Sequence, residues 1–296
     1  MALEHHPAHF PVQDRSLEYE SFEFQTLSPH IGGEIRGLDL SRPLAEKAEA
    51  DLRRAFLDWM VLVFPDQELD AAAHKALASR FGELHVHPQL RGSTMEHPEV
   101  LPVVTNEHSP FTPGDGWHSD VTCDEIPPLG SMLYIRETPA SGGGDTLFAD
   151  MYAAYELLSG PMKDFLAGLT AIHDGTAPFS EQQEILGLPT PEGGHPRAEH
   201  PIVVRHPETG RKLLYVNSGF TTRIVGLSPA ESRGVLDLLF RHIDSNPKLW
   251  CRVRWQPRTL TFWDNRCTQH HAIWDYYPQT RIGGRVSILS DVRPAA

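Results

Sequence analysis

The chain has 296 residues, of which 40% are hydrophobic and 22% are charged, a composition typical of a globular protein with a sizeable core. Its formal net charge of −13 argues against general nucleic-acid binding, because no Lys/Arg-rich stretch supplies the positive surface that phosphate contacts require. The longest strongly apolar run, residues 59–64, is far too short to cross a membrane.

The N-terminal residues 1–20 contain no apolar segment, which predicts a loose arm rather than a signal or transit peptide. Residues 21–296 show no internal repeat and no clear linker, so a single domain is the simplest interpretation. The cysteines Cys123, Cys251 and Cys267 are odd in number and lack CxxC spacing. A disulfide framework or zinc ribbon is therefore not expected. The same cysteine pattern predicts a cytoplasmic location.

The first part of the chain predicts alternating strands and helices. Residues 22–27 alternate like a half-buried strand, whereas residues 60–64 form a continuous apolar strand. Residues 45–58 have helical periodicity, with Leu52 and Phe56 on one face. A second helix is expected to begin after Asp70 as its N-cap and to run through residue 80.

From residue 98 onward, short β-like runs separated by Pro and Gly predict a mostly β fold with helical decoration, a double-stranded β-helix or jelly roll. Residues 180–200 are predicted to be a long surface excursion or lid. Ser228, followed by Pro229 and Glu231, marks the start of a helix. Strands are predicted at residues 100–105, 117–122, 131–136, 202–205, 212–216, 250–255, 259–263 and 285–290, and an interrupted helix at residues 151–169.

His-x-acid triplets are frequent in a chain with 17 histidines, and this chain contains four. Those at His97 and His206 contain a central proline, which disfavours a core strand. The triplet at His242 lies on a predicted helix, where residues two apart diverge. The fourth, His118 with Asp120, lies in a strand-compatible segment and would present an imidazole and a carboxylate on one face. A hydrogen-bonded surface pair is the alternative.

A third ligand would come from the region of His270, after the predicted strand at residues 259–263. Neighbours on a strand face opposite sides, so either His270 or His271 could point inward, and the residues alone do not choose. Two histidines and one aspartate on one side of an ion are typical of a non-haem Fe(II) oxygenase. Arg281 and Arg285 follow, and arginine is suited to binding a carboxylate bidentately.

Several motifs occur with nearly regular spacing between Leu27 and Val292. They are Arg80-Phe81-Gly82-Glu83-Leu84-His85-Val86-His87-Pro88, Trp117-His118-Ser119-Asp120-Val121-Thr122, Gly143-Gly144-Asp145-Thr146-Leu147, Asn217-Ser218-Gly219-Phe220-Thr221-Thr222-Arg223-Ile224, and Trp263-Asp264-Asn265-Arg266 with His270, Arg281 and Arg285. Together they resemble the taurine dioxygenase (TauD/TfdA) family of Fe(II)- and 2-oxoglutarate-dependent oxygenases.

The resemblance implies specific site residues, and it selects His270 rather than His271. The implied iron ligands are His118, Asp120 and His270, the implied 2-oxoglutarate contacts are Thr146 and Arg281, and the implied substrate contacts are His87, Val121, Phe179, Phe220 and Arg285. The implied reaction consumes O2, converts 2-oxoglutarate into succinate and CO2, and hydroxylates a small anionic organic substrate, with a sulfonate or alkyl sulfate favoured. The same resemblance implies a homo-oligomer, a dimer or tetramer.

Leu90, Gly114 and Pro178 differ from the taurine enzyme, which has polar side chains at these positions as contacts to the substrate amine. The difference predicts a more apolar substrate than taurine. The alternatives are the same chemistry on an aryloxyalkanoate or other carboxylate, and a jelly-roll protein that binds a metal without turnover. A zinc hydrolase is less favoured because the chain has no HExxH motif.

Overall fold

A computed structural model describes residues 15, 17–86, 94–187 and 193–296. Strands outnumber helices in these ranges, so the predicted mostly β class with helical decoration is confirmed. The strands are β1 (Glu23–Thr26), β2 (Gly33–Arg36), β3 (Val61–Phe64), β4 (Leu101–Thr105), β5 (Gly130–Glu137), β6 (Thr146–Asp150), β7 (Thr170–Asp174), β8 (Arg197–Pro201), β9 (Val203–Arg205), β10 (Lys212–Leu214), β11 (Thr221–Ile224), β12 (Trp250–Val253), β13 (Thr259–Asp264), β14 (Thr268–Ala272) and β15 (Arg281–Ile288). The helices are α1 (Glu46–Trp59), α2 (Ala71–Ala78), α3 (Met151–Glu156), α4 (Gly160–Leu166), α5 (Thr176–Leu186) and α6 (Pro229–Asp244).

The largest sheet has seven strands in the order β1-β2-β3-β13-β5-β15-β4. Its side chains alternate between two hydrophobic clusters, as the pleat of a strand requires. In β3, Val61 and Val63 enter one cluster together with Phe148 of β6, whereas Leu62 and Phe64 enter the other. Both faces of this sheet are therefore buried.

Helices α1 and α2 cover one face of the seven-stranded sheet. Leu52 and Phe56, predicted to share a face of α1, are both buried there. Phe56 stacks on Phe262 of β13 with ring centroids 3.9 Å apart. Asp70 caps α2 as predicted, because its carboxylate accepts a backbone N–H at 2.7 Å.

A three-stranded sheet in the order β12-β6-β14 packs against the other face. The remaining strands form a second three-stranded sheet, β11-β7-β8, and an antiparallel hairpin of β9 and β10, which lie at the strands predicted for residues 202–205 and 212–216. Two mainly antiparallel layers joined by a common core agree with the predicted jelly roll. The turn between β13 and β14 passes from one layer to the other and carries part of the candidate site.

Helix α6 begins at the predicted position. The Ser228 hydroxyl accepts the Glu231 backbone N–H, and the Glu231 carboxylate accepts the Ser228 backbone N–H at 2.9 Å, which completes a capping box. The predicted interruption near Gly160 is also present, with Ser159 capping α4. Within the described ranges, none of these helices combines the length and apolar character that crossing a bilayer requires.

The predicted strand at residues 117–122 is wrong. His118 alone forms an isolated antiparallel bridge, to His270, and the chain then turns at Val121. Val121 has a φ of 51°, a left-handed conformation that ends any extended run. The spacing of His118 and Asp120 is therefore not that of two residues on one strand face.

The predicted irregular excursion at residues 180–200 is also wrong in part. Its first residues belong to α5, and its last residues belong to β8, while residues 188–192 lie outside the described residues. No side chain of α5 is buried, so the helix lacks the apolar stripe by which periodicity reveals helices. That absence explains why its sequence resembles a surface loop.

Candidate metal centre

Three side chains that are distant in sequence meet beside β14. The Oδ1 atom of Asp120 lies 3.8 Å from Nε2 of His118 and 3.7 Å from Nε2 of His270. All three ligand atoms lie within 4.8 Å of one another. Ligands bound at about 2.0–2.2 Å to one ion are themselves roughly 3–4 Å apart, so the spacing fits a shared metal ion. Two nitrogens and one carboxylate form the donor set of the 2-His-1-carboxylate triad.

Backbone pairing positions the two histidines. The His118 N–H donates to the His270 carbonyl at 3.0 Å, and the His270 N–H donates to the His118 carbonyl at 2.7 Å. Directly opposed residues in an antiparallel pair project to the same face. The imidazole centroids consequently lie only 4.1 Å apart.

Asp120 reaches the same place through a turn rather than through a strand. The Asn265 side chain, in the turn between β13 and β14, accepts the Asp120 N–H at 2.6 Å and donates to the Asp120 carbonyl at 2.9 Å. The next residue, Val121, adopts its left-handed conformation. A β-branched residue seldom adopts this conformation unless its surroundings enforce it, and such strain clusters at functional sites.

The structure distinguishes His270 from its neighbour. His270 is 6% exposed and faces His118 and Asp120. The His271 ring lies on the other side of β14, where its Nε2 is 3.0 Å from Oδ1 of Asp115. Strand alternation allows one of the two to face inward, and the register of β14 against β6 selects His270.

The site chemistry keeps the histidines neutral and the aspartate ionised. Burial lowers the pKa of His270 to about 3 and also lowers the pKa of His118. The Nδ1 atom of His118 is 2.9 Å from the Gly116 carbonyl, which requires a proton on Nδ1 and leaves the Nε2 lone pair for a metal. Burial opposes ionisation of Asp120, but Arg285 foremost holds the pKa of the carboxyl well below its ordinary value.

Arg281, the first residue of β15, supplies a buried cation next to Trp255. The residue is 4% exposed, and its Nε and Nη2 atoms have no hydrogen-bond partner among the described residues. Unpaired donors on a buried guanidinium are costly unless an anion binds them. This arrangement fits a carboxylate ligand such as the far end of 2-oxoglutarate.

Thr146 and Gly144 lie in the same region as Arg281. The Thr146 hydroxyl accepts the indole N–H of Trp255 at 3.0 Å. Gly144 has a φ of 72°, and a Cβ atom there would lie 3.0 Å from Tyr276 Cε1 and 3.2 Å from Arg281 Cδ. A side chain at Gly144 would therefore crowd the predicted cosubstrate contacts.

Arg285 contacts the triad directly. Its Nη1 donates to Oδ1 of Asp120 at 3.1 Å, and its Nε has no partner among the described residues. The side chain is 26% exposed, so part of the guanidinium is accessible to an anion. His87 lies outside the described residues, as does Leu90.

Phe179 and Phe220 pack against each other. Their ring centroids are 5.7 Å apart. Phe220 follows Gly219, where a Cβ atom would lie 3.0 Å from Cβ of His118. The two predicted substrate contacts therefore meet each other, and the Phe220 segment adjoins His118.

A second buried cluster contains His206, Asp264 and Cys267. The Nδ1 atom of His206 accepts two backbone N–H groups at 3.2 Å, so its Nε2 carries the proton and donates to Asp264 at 3.1 Å. Asp264 also accepts from the Arg266 guanidinium. Burial raises the pKa of the Cys267 thiol. These groups satisfy one another as a structural network.

The sequence did not reveal the roles of several residues around the centre. Asn265 lies within a family motif, yet its role depends on the turn meeting residue 120. Ser131 donates to the second carboxylate oxygen of Asp120 at 3.0 Å from β5. Trp255 and Tyr276 flank Arg281. Ser131 could have been found by pairing the predicted strands and looking for polar residues opposite the motifs.

Comparison with known proteins agrees with the motifs. A model of the taurine catabolism dioxygenase TauD, TfdA family matches residues 23–287. The chain is 31% identical to an alpha-ketoglutarate-dependent sulfate ester dioxygenase of Pseudomonas putida, over 88% of this chain and 87% of that protein. It is 32% identical to an alpha-ketoglutarate-dependent sulfonate dioxygenase of Saccharomyces cerevisiae, over 84% of this chain and 62% of that protein. A crystal structure of a taurine dioxygenase from Burkholderia xenovorans has a TM-score of 0.79 and 36% identity, covering 93% of this chain and 91% of that one.

Proposed function

Because the chain belongs to the TauD/TfdA family of 2-oxoglutarate-dependent dioxygenases, we propose that it uses Fe(II) and O2 to hydroxylate a small organic sulfonate or alkyl sulfate. The observation that carries the proposal is the meeting of His118, Asp120 and His270. A buried Arg281 with unpaired donors, next to Trp255, supports it. An iron enzyme with a dicarboxylate cosubstrate needs both a metal triad and an anion-binding group.

The residues of the chain bind and orient the reactants. His118, Asp120 and His270 would hold Fe(II), and Thr146 and Arg281 would hold the far carboxylate of 2-oxoglutarate. The bound iron, 2-oxoglutarate and O2 supply the oxidising chemistry, with release of succinate and CO2. Burial of the triad restricts water and shields the reaction.

The substrate side of the site supports an anion with an apolar body. Arg285 would bind the anionic group, with His87 and Val121 beside it. Phe179 and Phe220 offer an apolar surface to the carbon chain. Nothing in this set complements an ammonium group, which favours an alkyl sulfate or alkanesulfonate over taurine.

Gly114 further supports a substrate without an amine. A Cβ atom at this position would lie 3.0 Å from Cε1 of His118, so a side chain here would stand beside the metal ligand. Glycine has no side-chain amide or hydroxyl to offer to a substrate amine. The proposed product is hydroxylated at the carbon bearing the sulfonate or sulfate, and it would collapse to an aldehyde with release of sulfite or sulfate.

The test begins with Fe(II) and 2-oxoglutarate added to the protein without oxygen. A visible metal-to-ligand charge-transfer band is expected, and its absence would contradict the oxygenase function. In air, succinate release is then measured with taurine, linear alkanesulfonates, alkyl sulfates and aryloxyalkanoates. We expect a linear alkanesulfonate or an alkyl sulfate to give more succinate than taurine or an aryloxyalkanoate. Preference for an aryloxyalkanoate would overturn the substrate class, and a band without succinate from any substrate would favour a metal-binding protein.

We also propose a cytoplasmic homo-oligomer, a dimer or tetramer. Cys123, Cys251 and Cys267 are all free thiols, as expected in a reducing compartment. The oligomer rests on family resemblance, and light scattering coupled to size-exclusion chromatography tests it: a mass of one chain would contradict it.

A further inference from the structure

We propose that Trp255 is a positioning residue of the 2-oxoglutarate site, where it directs the Thr146 hydroxyl and supports the Arg281 guanidinium. The inference rests on the proposed function, because it concerns the same site. Trp255 follows the end of β12 and is 6% exposed. One indole thus contacts both predicted cosubstrate residues from within the core.

The indole N–H determines how Thr146 can act. It donates to the Thr146 hydroxyl oxygen at 3.0 Å. An indole nitrogen is only a donor, so Thr146 must be the acceptor in this bond. The Thr146 proton is therefore directed elsewhere, and no described residue accepts it. A hydroxyl held with its proton outward suits a carboxylate, which is an acceptor only.

The face of the same ring supports the arginine. The Cζ atom of Arg281 lies 5.3 Å from the centroid of the Trp255 ring, within the range of a cation–π contact. This contact restricts the guanidinium while leaving Nε and Nη2 without partners among the described residues. The Trp255 side chain consequently orders two donors before the dicarboxylate binds, which lowers the entropic cost of binding.

Trp255 is also part of the main hydrophobic cluster, so a purely structural role has to be separated from positioning. Trp255→Phe keeps an aromatic ring in the core and removes the N–H group. Trp250→Phe is a matched control, because the Trp250 indole also donates a hydrogen bond, to the Ile243 carbonyl at 2.9 Å. Trp250 begins β12, the strand that precedes Trp255. Melting temperatures without any 2-oxo acid report whether both variants fold.

The primary experiment titrates the Fe(II)-loaded protein with 2-oxoglutarate under anaerobic conditions, following the charge-transfer band. The same titration uses 2-oxopentanoate, which has a methyl group in place of the far carboxylate. We expect Trp255→Phe to raise the Kd for 2-oxoglutarate about tenfold, the scale of one hydrogen bond to a charged group. The Kd for 2-oxopentanoate should change less than about twofold, and Trp250→Phe should change neither.

A double-variant cycle tests whether Trp255 acts through Thr146. Thr146→Val removes the hydroxyl, so adding Trp255→Phe to it should weaken 2-oxoglutarate binding much less than Trp255→Phe does alone. Fully additive effects would overturn the hydroxyl part of the proposal.

The outcomes also separate this proposal from the proposed function. If the unaltered protein gives no charge-transfer band, the proposed function fails. If it gives the band and Trp255→Phe leaves the Kd unchanged, the role of Trp255 alone is overturned. If Trp255→Phe weakens the binding of 2-oxoglutarate and of 2-oxopentanoate equally, Trp255 is a structural residue. That result would also overturn its positioning role.

Discussion

Replacing Arg281 by methionine should have opposite effects on folding stability and cosubstrate affinity. The guanidinium is buried, and two of its donor atoms lack partners in the described part of the chain. Each unsatisfied buried donor costs about 1–3 kcal/mol, and a methionine of similar length keeps part of the apolar packing. After allowance for the lost contacts to Tyr276 and Trp255, the free energy of unfolding without ligand should rise by about 1–3 kcal/mol.

The same substitution should strongly weaken the binding of 2-oxoglutarate. Two charge-assisted hydrogen bonds, each contributing about 1.5 kcal/mol, correspond to a roughly hundredfold increase in Kd. Denaturant unfolding measures the first effect, and anaerobic titration of the Fe(II) protein measures the second. Arg258→Met is the control, because Arg258 pairs with Asp66 and Glu68 at an exposed position and should leave the Kd unchanged.

Two results would refute this reasoning about Arg281. An unchanged Kd for 2-oxoglutarate would show that the buried guanidinium does not bind the cosubstrate. Marked destabilisation of the ligand-free protein would show that Arg281 is chiefly a structural residue. Destabilisation together with equal loss of affinity for 2-oxopentanoate would point to general damage to the site.

His270→Ala should abolish substrate-dependent succinate formation, whereas His271→Ala, on the opposite face of β14, should retain most of it. Equal loss of activity in both variants would contradict the conclusion that only His270 faces the triad. Asp150→Asn should stabilise the protein above pH 6, because burial raises the pKa of Asp150 from 3.8 to about 6 and its ionisation then costs up to about 3 kcal/mol. The native state binds the extra proton between about pH 4 and 6, so unfolding free energy falls as pH rises through that window, and the variant should lose this slope. Asn at position 150 still caps α3, because its side-chain oxygen can accept the same N–H group. Asp70→Asn, at the exposed cap of α2, is the control, and urea unfolding should show a change in unfolding free energy of only a few tenths of a kcal/mol. Equal effects at both caps would contradict the burial argument.

Local signals in the sequence predicted the elements that local chemistry controls. Asp70 and Ser228 begin helices because their side chains accept the N–H groups that a helix leaves unpaired. The continuous apolar run at residues 60–64 became β3, which is buried on both faces. Helix α5 was missed, since none of its side chains is buried and its sequence has no apolar stripe.

The sequence by itself determined the donor set of the candidate site: two histidines and an aspartate, followed by two arginines, at a spacing that resembles one enzyme family. Only the tertiary structure decided how they meet. His118 faces His270 through a two-residue bridge, and Asp120 is turned toward them by Asn265. Such contacts join residues that are far apart in the sequence; Ser119 and Thr268, which also share a hydrogen bond, are 149 positions apart. Periodicity describes only neighbours along the chain. The face that a side chain occupies, and the indole that lies beneath Arg281, depend on the register between strands that are distant in the sequence.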